Sequence, residues 1–284
     1  MNDYLLSVLL GVIEGLTEFL PVSSTAHLRI AQAMLHVDLH DGFWKMYAVV
    51  IQLGAILALP VYFWDKLRKF VLTFPKGEKG DRTILTHPLS LTALAFLTTA
   101  IPAFLLKKVI GQNLENLTVM ALSLVIGGVV MWVVDALCRS PRVLHVEEMN
   151  LPQAIWIGAA QVLAAVFPGT SRSMATIAAG QVAGLSRPAA LEFSFFVSIP
   201  TMAVATLFDL LHTLSPKVHD AEANLGPVHM GGHEWVVLAI GFAVSFVVAL
   251  AVIAWFMAWV RRRGFVPFAI YRIVFGLYLL LWWK

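Results

Sequence analysis

Charge and cysteine are what this sequence is short of. Of its 284 residues only 13% are Asp, Glu, Lys or Arg, about half of the roughly 25% usual in soluble domains. Several uninterrupted apolar runs reach the roughly 20 residues that cross a bilayer, so a soluble class is excluded and an integral membrane protein is expected. Cys138 is the single cysteine, which excludes an intramolecular disulfide, a cysteine-based zinc cluster and a dithiol redox motif. A basic region ahead of the first apolar run is also missing: Asn2 and Asp3 stand there, so that run is expected to stay in the mature protein rather than be cleaved as a signal. The formal charge of +3 is modest; its basic residues flank apolar runs, which fits membrane orientation and not a nucleic-acid partner. His36, His40, His212, His219, His229 and His233 fall in expected loops without metal-ligand spacing.

What is present is 59% hydrophobic sequence, with polar residues in one conspicuous place. Residues 11 to 28, GVIEGLTEFLPVSSTAHL, carry two glutamates, two serines and a histidine within a membrane-like run. Residues 158 to 175, GAAQVLAAVFPGTSRSMA, align with them without a gap at an offset of 147, pairing Gly11 with Gly158, Glu14 with Gln161, Pro21 with Pro168 and Ser24 with Ser171. A helix interior does not tolerate Pro21 or Pro168 without a break. Non-helical backbone at membrane depth needs protein or a water-filled cavity around it. Each copy therefore reads as a re-entrant hairpin, over 1–35 and 151–185.

Apolar segments near 44–63, 88–106, 116–137, 188–211, 235–260 and 265–283 read as spans, and 64–87 as a long basic loop. The expected fold class is an all-α polytopic membrane protein of one domain, 1–284: six transmembrane helices plus two re-entrant hairpins meeting near the midplane. The halves, 1–140 and 150–284, each hold one hairpin and three spans, an odd number of crossings that makes the repeat inverted. Inverted repeats with broken helices commonly bind their ligand at the midplane. One set of connections holds Lys66, Arg68, Lys69, Lys76, Lys79, Arg82, Arg139, Arg142 and Arg261 to Arg263; the other holds Lys45, Lys107, Lys108 and Lys217. The first set is assigned to the cytoplasm by its positive charge. That leaves both termini outside and the site facing the outer, periplasmic side.

Glu14 and Glu18 lie four residues apart, on one helix face, where like charges repel. Two readings stand: protonated or hydrogen-bonded structural acids, or a pair sharing a hard divalent cation, Mg²⁺ or Ca²⁺. Ser23 and Thr25 read as caps of the following helix, and Ser24 as a nucleophile with His27 the nearest base. In the second copy, PGTSRS combines a turn at Gly169, three hydroxyls and Arg172 just before a helix. Helix N-terminal amides and a guanidinium both suit phosphate. An ion pair of Arg172 with Glu14 or Glu18 is the plainer alternative. Gln52 and Glu192 read as cavity walls. Together these groups suit a site for a phosphate-bearing ligand; inverted repeats with midplane sites are also typical of a lipid or anion transporter.

EGLTEFLPVSSTAH together with PGTSRSMAT resembles the undecaprenyl-diphosphate phosphatases of bacteria, also called bacitracin-resistance proteins, and VVIQLGAILA (49–58), EFSFFVSIP (192–200) and FVPFAIYR (265–272) extend the likeness over nearly the whole chain. The resemblance implies an inner-membrane hydrolase that removes the terminal phosphate of the C55 isoprenyl diphosphate, returning the monophosphate carrier to peptidoglycan and cell-wall polymer synthesis. It implies an acidic pair, Glu14 and Glu18; a hydroxyl and imidazole, Ser24 and His27; and phosphate ligands Ser171, Arg172, Ser173 and Thr176. Ala26 departs from the glycine that many relatives have before the histidine. The expected reaction is in-line attack on the terminal phosphorus by Ser24, by a water activated by His27, or by His27 itself. The expected partners are the diphosphate lipid and membrane lipids, with no nucleic acid; whether a second copy joins in a homodimer stays open.

Overall fold

The structure, a computed structural model, describes residues 2–38, 41–113, 116–214 and 230–282; Lys217, His40, His219 and His229 lie outside them, as does the side chain of His212. Among the described residues the chain is all helical, with no β-strand. Helix α1 (Asp3–Thr17) starts where the Asn2 side chain accepts from the Tyr4 amide at 2.9 Å and stops at Glu18, three residues ahead of Pro21. It is followed by α2 (Ser24–Met34) and α3 (Gly42–Tyr62). The stretch expected as a basic loop begins instead with a helix, α4 (Trp64–Thr73). Its pattern is amphipathic: Trp64, Leu67, Phe70 and Val71 recur at helical spacing between the charges, with Phe70 buried and Arg68 and Lys69 outside the core.

Helix α5 (Pro88–Leu105) has Pro88 in its first turn, where a missing N–H is harmless, and His87 as its cap. Then come α6 (Lys107–Asn113), α7 (Leu117–Leu137) and a single 3-10 turn, Val146–Glu148. At α8 (Leu151–Val166) Asn150 and Gln153 form a reciprocal capping box, each side chain accepting from the other's amide at 3.1 and 3.0 Å. The chain closes with α9 (Arg172–Val182), α10 (Arg187–Leu214), α11 (Gly232–Arg262) and α12 (Val266–Trp282). Among the described residues, five helices are long and apolar enough to cross a membrane: α3, α5, α7, α10 and α11. The expected sixth, α12, is apolar but has 17 residues.

The chain divides into two compact units, and each draws on both halves of the sequence. The first comprises Met1–Phe19, Ser24–Tyr62 and Met202–Ile253. In it, Gly11 and Gly15 lie against Gly241, Val244, Ser245 and Val248 of α11 so closely that a Cβ at either would fall within 3 Å of a neighbour. Small residues permit this approach in the absence of a hydrophobic drive between membrane helices. Two buried hydroxyls here are hydrogen-bonded to backbone: Tyr47 donates to the Ser7 carbonyl at 2.7 Å, and Ser7 to the Val237 carbonyl at 2.7 Å.

The second unit comprises Leu20–Ser23, Phe63–Thr201 and Ala254–Lys284. Helix α12 packs on α7 and α5 on α8; at the latter pair Thr99 donates to the Gly158 carbonyl at 2.8 Å. Asp135, buried, receives the Arg187 Nε at 2.6 Å and the Phe265 amide at 3.0 Å. Lys66 of α4 forms ion pairs with Glu192 of α10 and, at 2.9 Å, with Glu147 of the 3-10 turn. Burial alone would pull the Lys66 ammonium down, but the charges and hydrogen bonds of Glu192 and Glu147 outweigh it and hold its pKa above the ordinary value.

Candidate active site

The break after α1 is where the acidic residues are. Glu14 is fully buried on the last turn, and Glu18 caps the helix, its amide donating to the Glu14 carbonyl at 2.9 Å. Ser24, the first residue of α2, donates its hydroxyl to Glu18 Oε2 at 2.5 Å. Sequence proximity had singled out His27 as the base for Ser24; the structure sets the Glu18 carboxylate against that hydroxyl. His27 lies half-buried one turn further along α2, next to a fully buried Ala26.

The two breaks share a backbone conformation. Ser23 has φ 74° and Ser171 has φ 69°, each directly ahead of an eleven-residue helix. Counted from those helix starts the copies are offset by 148, one more than the gapless 147, because three residues follow Pro168 before α9 and only two follow Pro21 before α2. By backbone conformation and helix start, Ser23 is placed like Ser171 and Ser24 like Arg172, whereas the gapless alignment pairs Ser24 with Ser171. An extra turn residue leaves the hydrophobic register of the preceding helix untouched, so pattern alone does not reveal it.

In the second break, the Ser171 hydroxyl accepts from the Met174 amide at 3.4 Å and lies 3.0 Å from the Ser173 hydroxyl. Ser173 donates to the Leu20 carbonyl at 3.1 Å. Thr176 is buried, donates to the Arg172 carbonyl at 2.8 Å and meets the Ser194 hydroxyl at 2.6 Å. Arg172 begins α9, half-buried. Gly169, at φ 93°, sits so close to the Met120 backbone that no Cβ fits. Gln161, the counterpart of Glu14, is buried and donates to Thr99 and Thr201, each at 3.2 Å.

Sequence reasoning passed over Arg272. It is fully buried in α12 and donates to the carbonyls of Pro21 (3.0 Å), Ser123 (3.1 Å) and Gly169 (3.0 Å). Its signal was there to find: a lone charge inside an apolar span is a functional candidate by default.

As to a metal, no group of three or more His, Cys, Asp and Glu side chains is gathered among the described residues. The donors at the first break are two buried carboxylates and a hydroxyl on one of them. That all-oxygen set fits Mg²⁺ or Ca²⁺, which take few protein ligands and complete their shell with water and phosphate, and does not suit a softer ion.

Bilayer-length apolar helices, with hydroxyl-rich turns after the shorter α1 and α8, define a polytopic α-helical membrane protein. Within that class, the sequence profile of the family described as bacitracin resistance protein BacA matches residues 7–278, and the chain belongs to that family. It is 64% identical over 283 residues to an undecaprenyl-diphosphatase of Koribacter versatilis, covering 99% of each chain. A protein of the same description from Novosphingobium aromaticivorans is 43% identical over 287 residues, 99% of this chain and 98% of that one. One from Rhizobium etli is 42% identical over 279 residues, 98% and 96%.

Proposed function

We propose that this chain hydrolyses undecaprenyl diphosphate to undecaprenyl phosphate and phosphate, recycling the lipid carrier of cell-wall synthesis. The observation that carries the reading is the Ser24 hydroxyl held 2.5 Å from Glu18 at a break in apolar sequence, in a chain whose full-length relatives are named undecaprenyl-diphosphatases. A transporter has no need of a nucleophile poised on a base, and it is the less favoured reading.

In the proposed reaction the Ser24 oxygen attacks the terminal phosphorus as its proton passes to Glu18. The phosphoanhydride bond breaks, undecaprenyl phosphate leaves, and the phosphoryl group stays on Ser24. Water then attacks the phosphoserine, giving its proton to His27, and the Ser24 oxygen recovers the proton from Glu18. Arg172 and the hydroxyls of Ser171 and Ser173, at the start of α9, hold the diphosphate oxygens, with Gly169 shaping that turn. Thr176, bonded to the Arg172 carbonyl and Ser194, supports that first turn. Glu14 and Glu18 are the residues that would hold Mg²⁺ or Ca²⁺, which when bound supplies charge neutralisation for the transferring phosphoryl group.

The proposal extends to the membrane: an inner-membrane protein with six spans, including α12, and two re-entrant hairpins in inverted halves, its cavity open to the outer face. Purified protein in detergent, given farnesyl diphosphate or undecaprenyl diphosphate, is expected to release phosphate. Substrate recovered intact would overturn the reading in favour of a carrier.

A further inference from the structure

Arg272 is a charge with no business in an apolar helix unless it is bonded, since an isolated ion in low dielectric is strongly disfavoured. It is fully buried, and among the described residues its partners are backbone carbonyls: Pro21 in the first break, Gly169 in the second, and Ser123 on α7. Pro21 and Gly169 belong to chain segments interrupted by turns, where carbonyls lack the regular helical donor. The space for the guanidinium is provided by Gly127, one turn beyond Ser123: a Cβ there would lie 3.2 Å from Arg272 Cζ and collide with Nη2. A second link runs in parallel, the Ser173 hydroxyl to the Leu20 carbonyl at 3.1 Å.

We infer that Arg272 is a positioning residue that fastens the turn Leu20–Ser23 to the turn around Gly169, and through the first of these sets the approach of Glu18 and Ser24, which that turn connects. It does so through backbone alone and touches no substrate. A guanidinium is required because its planar fork sends Nη1 and Nη2 to separate acceptors, whereas an ammonium is a single point on its stem. The inference rests on the catalytic reading above for its kinetic consequence, but not for its structural one.

The test uses full-length R272K and G127A proteins in detergent, the second retaining the guanidinium but displacing it. Hydrogen exchange is read by mass spectrometry over peptides spanning 18–28 and 167–176. Exchange is expected to quicken at least tenfold in those two segments in both variants, with α3, α5 and α10 unchanged; unaltered exchange at the breaks, or equal acceleration everywhere, overturns the inference. Phosphate release supplies a second readout. A displacement of about 1 Å at reacting groups costs about 10²-fold, so kcat is expected to fall by that order with KM within threefold, while R172K should raise KM. Parent-like kcat in folded R272K would sink the positioning role. An inactive parent would sink the phosphatase reading instead, leaving the exchange result to decide on Arg272.

Discussion

Ser23 and Ser171, 148 positions apart, occupy the same left-handed backbone conformation, at φ 74° and 69°, each as the last residue before an eleven-residue helix. Non-glycine residues held there cost of order 1–3 kcal/mol and persist where the surroundings determine them, often at functional sites. Here the conformation turns the chain sharply after a proline break and starts a helix with Ser24 in one copy and Arg172 in the other. The two breaks thus present different chemistry from one backbone geometry.

The first expectation concerns that strain. Ser23→Gly should leave thermal stability within about 1 kcal/mol of the parent, because glycine adopts positive φ freely, whereas Ser23→Val should lose about 1–3 kcal/mol. Unfolding in detergent followed by fluorescence compares them. Equal stability of the two variants would mean that the backbone conformation is not what this position requires.

Chemistry is separated from capping by Ser24 and Glu18. Ser24→Ala should abolish phosphate release, and Glu18→Gln, which keeps the shape but not the basicity, should lower turnover by about 10²–10⁴-fold. Rapid-quench trapping with mass spectrometry should find the phosphoryl group on Ser24. Phosphohistidine at His27 would reassign the nucleophile.

Dialysis against EDTA should remove activity, and Mg²⁺ or Ca²⁺ should restore it. Glu14→Gln should raise the cation concentration needed for half-maximal rate without altering the fold, since it removes one of two carboxylate donors. Undiminished turnover after exhaustive chelation would take the metal out of the reaction.

The Lys66 cluster makes a pH prediction outside the spans. Burial would raise the Glu147 carboxyl, but the Lys66 hydrogen bond and charge bring its pKa below the usual value, while Lys66 is held above its own. Stability from a depressed acid is present above its unfolded pKa and lost as pH falls through the folded one; from a raised lysine it is present below the unfolded pKa and lost as pH rises through the folded one. The cluster should therefore stabilise across the neutral range and fail at both extremes. Lys66→Met should be more destabilising than Glu147→Gln, because it leaves the Glu192 carboxylate, 15% exposed, without its cation while Glu147 is 43% exposed. Melting temperatures of both variants between pH 4 and pH 10 check the order.

Orientation is tested by single cysteines in a Cys138→Ser background. Lys79 and Lys108 are both exposed. In intact cells with a permeable outer layer, Lys108→Cys should react with an impermeant maleimide and Lys79→Cys should not. The reverse pattern would turn the site toward the cytoplasm.

Much of the architecture is decided locally and was open to reading. Helices α1 and α8 end ahead of Pro21 and Pro168, as expected of a residue that lacks the N–H and clashes with the preceding turn, but Pro60, Pro102 and Pro200 lie within α3, α5 and α10, so proline marks a break without deciding it. The lengths of α3, α5, α7, α10 and α11 follow from apolar runs matched to a bilayer. The exposure of Glu14, Glu18, Ser24, His27 and Arg172 as candidates came from polar residues standing in apolar sequence. What only tertiary structure decided is who meets whom. The Ser24 proton is directed at Glu18 because a two-helix turn folds the chain back on itself, and sequence distance ranked His27 nearer. Arg272 reaches Pro21 across 251 residues, a pairing set by helix packing on the small surface of Gly127. Composition can mark such a charge as costly; only the packed chain says which carbonyls relieve it.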